Sequence, residues 1–337
     1  MIEKHIKNEL HLKRWRRFKK RKPAIVSSIL LIFMIVLTFI APILANNKPI
    51  ILTHQGKTYF PAMKDYHPKE FGITDVMVID YRSLKVDGTV IWPIIRWNPF
   101  ESNKVVDSYP APPGRDNWMG TDDRGRDVLT RLLYGFKYSI SYAFLVWVIA
   151  YTIGTILGGT MGYFGGKVDF FGMRMVEIFS TVPHFFLLII LISIFRPSLA
   201  LLVCISSLFA WIAINYYVRA EFLKNRKKEF VEAARALGAS TPSILFKHIL
   251  PNSLGPIITF TPFFISANIV GLASLDYLGF GLEVPTPSWG ELLNQAQKNF
   301  TIGWWLAVFP SMALFSTLTM LALVGEGIRD AMDPNLT

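Results

Sequence analysis

Six apolar runs, at 24–45, 138–162, 170–195, 199–218, 253–277 and 304–327, constrain this chain more than anything else in it. Each holds about 20 residues or more, enough for a helix to cross the roughly 30 Å of hydrocarbon in a bilayer. No water satisfies the backbone there, so such a run is expected to close its hydrogen bonds on itself as a helix. The expected fold class is therefore an all-α polytopic membrane protein with six transmembrane helices. Composition agrees: 52% of residues are hydrophobic, 18% are charged, and the mean hydropathy is +0.36.

Charge orients these spans. The net charge is +11. Lys13, Arg14, Arg16, Arg17, Lys19, Lys20, Arg21 and Lys22, with Trp15 and Phe18 among them, precede the first span. Lys224, Arg226, Lys227, Lys228, Arg235 and Lys247 lie between the fourth and fifth spans. The short segments on the other side hold Arg196, Asp276, Glu283, Glu291 and Lys298. The positive-inside rule puts the basic segments, and both termini, in the cytoplasm. The basic N-terminus then lies against anionic headgroups. This accounts for the charge without nucleic acid. A cleaved signal peptide is the competing reading of the N-terminus, but its apolar run of about 22 residues exceeds a signal core. The single cysteine, Cys204, has no partner for a disulfide within the chain and is read as a small buried apolar residue.

The domain plan has five parts: a cytoplasmic basic segment (1–23), the first span (24–45), an outer insertion with an amphipathic helix (46–137), a core (138–327) and a cytoplasmic tail (328–337). The insertion is polar and rich in proline and aromatics. Residues 50–53 and 57–60 flank His54-Gln55-Gly56 as a β-hairpin. A second β pair is expected over 76–90, turning at Asp87-Gly88. Asp65, His67 and Glu70 form an acid/histidine group without metal-ligand spacing. Asp122, Asp123 and Asp127 lack the spacing of a calcium loop, and Arg124 and Arg126 are placed to neutralise them, so a salt-bridge and capping network is expected.

Within the core, Gly154, Gly158 and Gly162 recur every fourth residue and give one helix face over which another helix packs closely. Arg174 and Glu177 are placed to pair, and His184 follows a kinking Pro183 in the third span. Asp276 is expected at the water boundary, and 279–303 as an outer surface or re-entrant segment.

The loop 221–252 contains EFVEAARALGASTPSILFKHILP, a polar helix-forming island at 229–251 that cannot lie in hydrocarbon. Phe230, Ala233, Ala234 and Leu237 share one helical face, with Lys228, Glu232 and Arg235 opposite. Gly238 is expected to end the first helix in the left-handed conformation. Ser240-Thr241-Pro242 restarts a helix, and Leu250-Pro251 is read as its stop.

Glu232-Ala233-Ala234, Arg235, Gly238 and the closing Leu250-Pro251 resemble the EAA motif of ABC-importer permeases. Gly120-Thr121-Asp122 with Gly125-Arg126-Asp127 is similar to the GTD…GRD signature of the oligopeptide/dipeptide C-type branch. Pro287-Ser288-Trp289-Gly290 and the tail 325–334 extend the likeness over most of the chain. The large outer insertion, and Leu275-Asp276-Tyr277-Leu278-Gly279-Phe280-Gly281 in place of an LSFLGLG-like stretch, resemble the Yej-type branch, which imports oligopeptides and antibiotics of the microcin C kind.

The resemblance implies a type I ABC importer fold in a bacterial inner membrane. It implies half of a translocation pathway, with a homologous B-type permease as the other half and a periplasmic substrate-binding protein outside. Two ATPase subunits, or one fused ATPase, would seat on the EAA loop and bind ATP and Mg. No cofactor is implied for this chain, and it carries no GxxxxGK[ST] phosphate loop. A permease for a non-peptide solute such as nickel or a glycoside is the nearest alternative. A secondary transporter would be expected to show intramembrane charge or an inverted repeat. A membrane-anchored enzyme would have to use the outer domain.

Overall fold

The computed structural model describes residues 9–73, 77, 79–84 and 86–333. Lys4 and Lys7 of the basic segment, Val76 and Val78 of the expected second β pair, and Pro334 of the tail lie outside them.

The described residues open with the basic helix α1 (Glu9–Lys20) and the first span, α2 (Lys22–Phe39), which α3 (Ala41–Leu44) prolongs. Among the described residues, five helices are long and apolar enough to cross a membrane: α2, α4 (Val128–Phe164), α7 (Leu199–Asn225), the helix ending in α10 (Leu250–Tyr277), and α12 (Trp304–Met332). Cys204, on α7, is exposed rather than buried, because no other helix among the described residues covers it. The expected third span is a broken one. It consists of α5 (Gly166–Thr181) and α6 (His184–Ile194), bent by 65° where Val182 and Pro183 leave the helical conformation. Six spans result when this pair counts as one. The amphipathic helix before the second span is not a separate element. It is the first turns of α4, 37 residues long, because no proline or glycine cap interrupts it there.

The insertion carries a small sheet of order β2-β1-β3, antiparallel throughout. Strand β1 (Ile51–His54) pairs with β2 (Lys57–Tyr59) across Gln55 and Gly56. Both turn residues have positive φ, 50° and 72°, as a tight hairpin of this twist requires. The second β pair does not form among the described residues. Strand β3 (Val90–Ile91) pairs with β1 instead, and Asp87 accepts from the Gln55 amide at 3.0 Å, bracing the first turn. Leu52, Tyr59, Phe71, Ile79 and Tyr81 fill the small core.

The acid/histidine group at 65–70 is structural. His67 caps the 3-10 turn Pro68–Phe71, reciprocated by Glu70, while Asp65 pairs with Lys48. The Lys48 hydrogen bond holds the Asp65 carboxyl below its ordinary range.

Helices α4 and α7 pack closest. A Cβ at Gly158 would meet the Asn215 carbonyl oxygen at 2.6 Å, and one at Gly162 the Arg219 carbonyl oxygen at 2.6 Å. A Cβ at Gly154 would strike Ile214. The glycine face is thus a groove filled by the α7 backbone. At the outer end, α11 (Trp289–Lys298) fits between α4 and α12. Trp289 stacks on Phe136, with ring centroids 5.4 Å apart, and donates to the Leu132 carbonyl at 2.9 Å. At the other end, Arg21 pairs with Glu326 and Asp330, tying the start of α2 to the end of α12.

Candidate functional site

Two regions carry the motifs. Helix α8 (Glu229–Ala236) leaves α7 after the basic Arg226-Lys227-Lys228 and buries Val231 and Ala234 against Ile214, Val218, Phe222, Ile244 and Ile249. This corrects the face expected from helical spacing: Phe230 is half-buried, while Ala233 and Leu237 point away from the protein. Leu237 is 88% exposed, beside exposed Glu232, Ala233 and Arg235.

Gly238 ends the helix at φ +77°. Its N–H bonds the Arg235 carbonyl, and the Ala239 N–H bonds the Ala234 carbonyl, both at 3.0 Å. This pair of bonds is the Schellman motif, which needs a left-handed residue at Gly238. A Cβ there would meet nothing within 4 Å, so the space beside the turn is open.

The chain restarts helically at α9 (Thr241–Ser243), with Pro242 in its first turn. Leu250-Pro251 does not stop it. Residues Ile244–Ile249 form a π-helical turn, Leu250 N–H bonds the Leu245 carbonyl, and α10 continues through Pro251. Proline lacks an N–H and crowds the carbonyl four residues back. The wider turn accommodates both.

The loop is fastened at its base. Arg219 grips Asp169 of α5 with two bonds, Nη2 to Oδ2 at 2.6 Å. Arg226 donates to the Tyr163 carbonyl at 2.9 Å, and Asn225 donates to Ser253 at 3.0 Å. These bonds tie the base of the loop to α4, α5 and α10 through α7.

The outer region is built differently. Asp122 is fully buried and accepts from the Arg124 and Arg126 amides at 2.9 Å and from Arg126 Nε at 2.7 Å. Thr121 pairs with Ala111. Asp127 caps α4, accepting from Thr130 N at 2.8 Å and from Asn117 at 2.9 Å. Gly120 and Gly125 take positive φ where the Trp305 and Tyr109 rings leave no room for a side chain.

Sequence reasoning missed Arg131 and Glu291. Arg131, with no exposed surface, pairs with Glu291 and lies 3.3 Å from Asp122, and it donates to the carbonyls of Pro99 and Pro285. Arg126 reaches the same Glu291 at 3.1 Å. Helical spacing sets Arg131 off the apolar face of Leu132 and Phe136, so no local signal marked it as buried. Burial pushes the Asp127 carboxyl above its ordinary range. Burial, with the neighbouring Asp122 charge, does the same to Asp123.

Asp276 is not at the water boundary. It is buried, accepting from Ser288 Oγ and from the Leu282 N–H at 2.7 Å, and it gathers 279–290 over the end of α10. Arg174 and Glu177 pair at 2.5 Å on an exposed face. His184 stacks on Phe209 and lines a cavity of about 240 Å³ with Tyr142, Ser206, Phe264 and Asn268. No group of three or more His, Cys, Asp or Glu arranged to hold a metal occurs among the described residues.

Residues 135–337 match the family model of the binding-protein-dependent transport system inner membrane component. Residues 13–68 match the N-terminal TM domain of oligopeptide transport permease C. The chain is 38% identical to the inner membrane ABC transporter permease protein YejE of Escherichia coli K12, over 96% of each chain. It is 36% identical to the peptidoglycan transport system permease protein YejE of Agrobacterium fabrum, over 96% of this chain and 93% of that one. With the dipeptide transport system permease protein DppC of Bacillus subtilis it shares 30% identity, over 96% and 85%. Among solved structures, an inward-facing form of the MetNI methionine ABC transporter superposes with a TM-score of 0.50 at 19% identity, covering 61% of this chain and 97% of that one. That likeness shows the fold alone.

Proposed function

Because this chain belongs to the family of binding-protein-dependent transport system inner membrane components, we propose that its exposed loop 229–251 is the seat of an ATPase that drives peptide import through it. The chain is a permease subunit of an ABC importer for peptide-like substrates, and a multi-pass inner-membrane protein. The observation that carries the loop's role is its combination of open space and rigid footing. Leu237, Ala233 and Gly238 face solvent with small or apolar surface, while the base of the loop is clamped to four helices. Glu232 and Arg235 supply exposed charge beside them.

In this reading, closure of an ATPase pair pushes α8, and the push passes into α7 and α10. The pathway between this chain and a homologous B-type permease then switches sides, as in alternating access by rocking bundles. Nucleotide and Mg belong to the ATPase subunits or a fused ATPase. A periplasmic substrate-binding protein delivers the peptide. In this reading the termini are cytoplasmic, since the positive-inside rule assigns the basic residues of α1 and of the loop to that side. Oligopeptides, with peptide-derived antibiotics of the microcin C kind as a narrower class, are the proposed cargo.

Reconstitution tests this. Vesicles holding the complete complex accumulate peptide only with ATP, and vesicles holding the purified chain accumulate none. Peptide accumulation by the chain alone would remove the reading.

A further inference from the structure

A cavity of about 440 Å³ opens in the outer insertion, remote from the loop 229–251 and bordered by Asp127 of the outer motif. Its walls are the segments around Trp97 and Asp116, joined by a hydrogen bond from the Trp97 indole to the Asp116 carbonyl at 2.7 Å. Beneath them, Asn103 donates to Asn117 at 2.7 Å and Asn117 to the Asp127 cap of α4, so the floor is continuous with the permease core. Three arginines line the cavity, Arg82, Arg96 and Arg115. Arg82 is committed: it lies over the Trp97 ring at 4.4 Å and pairs with Glu101 at 3.0 Å. Arg96 rests on Trp92, and neither it nor Arg115 forms an ion pair among the described residues. Both are exposed, as is Asp116, whose carboxylate is likewise unpaired. Trp118 stands at the rim, 57% exposed.

Two free guanidiniums, one free carboxylate and two indoles share this one concavity. Guanidinium forks match a carboxylate, and rigid indoles offer apolar surface at low entropic cost. The volume lies within the usual range for small-ligand sites. Charges of both signs favour a zwitterion over a simple anion.

We propose that this cleft binds a short zwitterionic peptide on the outer face. Its C-terminal carboxylate lies on Arg96 and Arg115, its apolar side chain on Trp97 and Trp118, and its ammonium group toward Asp116. The proposal rests on the peptide-import reading and adds a place where this chain itself holds the cargo outside the membrane.

Calorimetric titration of the full chain in neutral-lipid nanodiscs tests it, with the tripeptide Ala-Phe-Ala as probe beside its C-terminal amide. Saturable binding is expected. The Arg96→Gln/Arg115→Gln double variant is expected to raise Kd about tenfold or more, as losing a charged hydrogen bond implies. The amide is expected to bind the unaltered chain as weakly, and to be indifferent to the double variant. Trp118→Ala weakens both probes. Because both arginines are exposed, the variant keeps its melting temperature. No saturable binding, equal affinity for the amide, or an unaffected double variant overturns the site. ATP-driven uptake of Ala-Phe-Ala by the assembled importer, run alongside, separates the two readings: uptake without binding at the cleft removes only the cleft, and absent uptake removes peptide import.

Discussion

The two motifs most visible in the sequence, at 120–127 and 232–238, face in opposite directions. In the outer one Asp122, Arg126 and Asp127 are buried and bonded to one another, to α4 and to α11. In the inner one Glu232, Ala233, Arg235 and Gly238 lie on the surface, and only Ala234, with Val231 just before the motif, is inside. A buried, satisfied motif holds a chain together; an exposed one of small residues on a fixed base has surface left for another molecule. The difference predicts that substitutions outside damage stability first, and substitutions inside damage transport first.

The sharpest test is Arg131→Gln. It leaves the Arg126 guanidinium to serve both Asp122 and Glu291, two carboxylates for one cation, and breaking a buried pair costs about 3–5 kcal/mol. The purified chain should melt far below the unaltered one, or fail to accumulate. An unchanged melt would mean that water reaches the cluster and that the outer motif is not a lock. Gly238→Trp should behave in the opposite way. The positive φ costs a side-chain residue about 1–2 kcal/mol, which the fold survives, since the added atoms enter open space. Uptake should fall by about tenfold or more, because even 1.4 kcal/mol of lost docking is a factor of ten. Normal uptake by this variant, with the protein inserted, would falsify the docking role.

The apolar runs were legible because a span needs only length and hydropathy, and Gly238 because a left-handed cap has few other occupants. What escaped depended on partners distant in sequence. Arg131 and Glu291 are 160 residues apart, and neither alone announces a buried pair. Asp276 reads as a boundary residue until Ser288 and the Leu282 amide are brought over it. Pro251 reads as a stop because local rules assume α-helical bonding, and the π turn before it changes the bonding. The face of α8 was misjudged for a related reason: spacing gave the pairing of Phe230 with Leu237, but the position of α7 decides which side is covered.

Protonation gives the finest discrimination between the two regions. Burial and the Asp122 charge hold the Asp123 carboxyl above its ordinary range, so the folded chain binds that proton more tightly than the unfolded chain does. Stability from this group is then present at low pH and lost as pH rises from the ordinary carboxylate range, near 3.9, through the raised value. Asp123→Asn abolishes the charged form, so it should raise the melting temperature at pH 7 and leave it little changed at pH 4. The gain should stay below about 1 kcal/mol, since the residue is only partly buried and solvent screens it. Glu232→Gln, on the open face of α8, should shift neither melt by more than about 0.5 kcal/mol. A pH-dependent gain from the Glu232 substitution instead would place the inner motif in a buried setting and erase the contrast between the two.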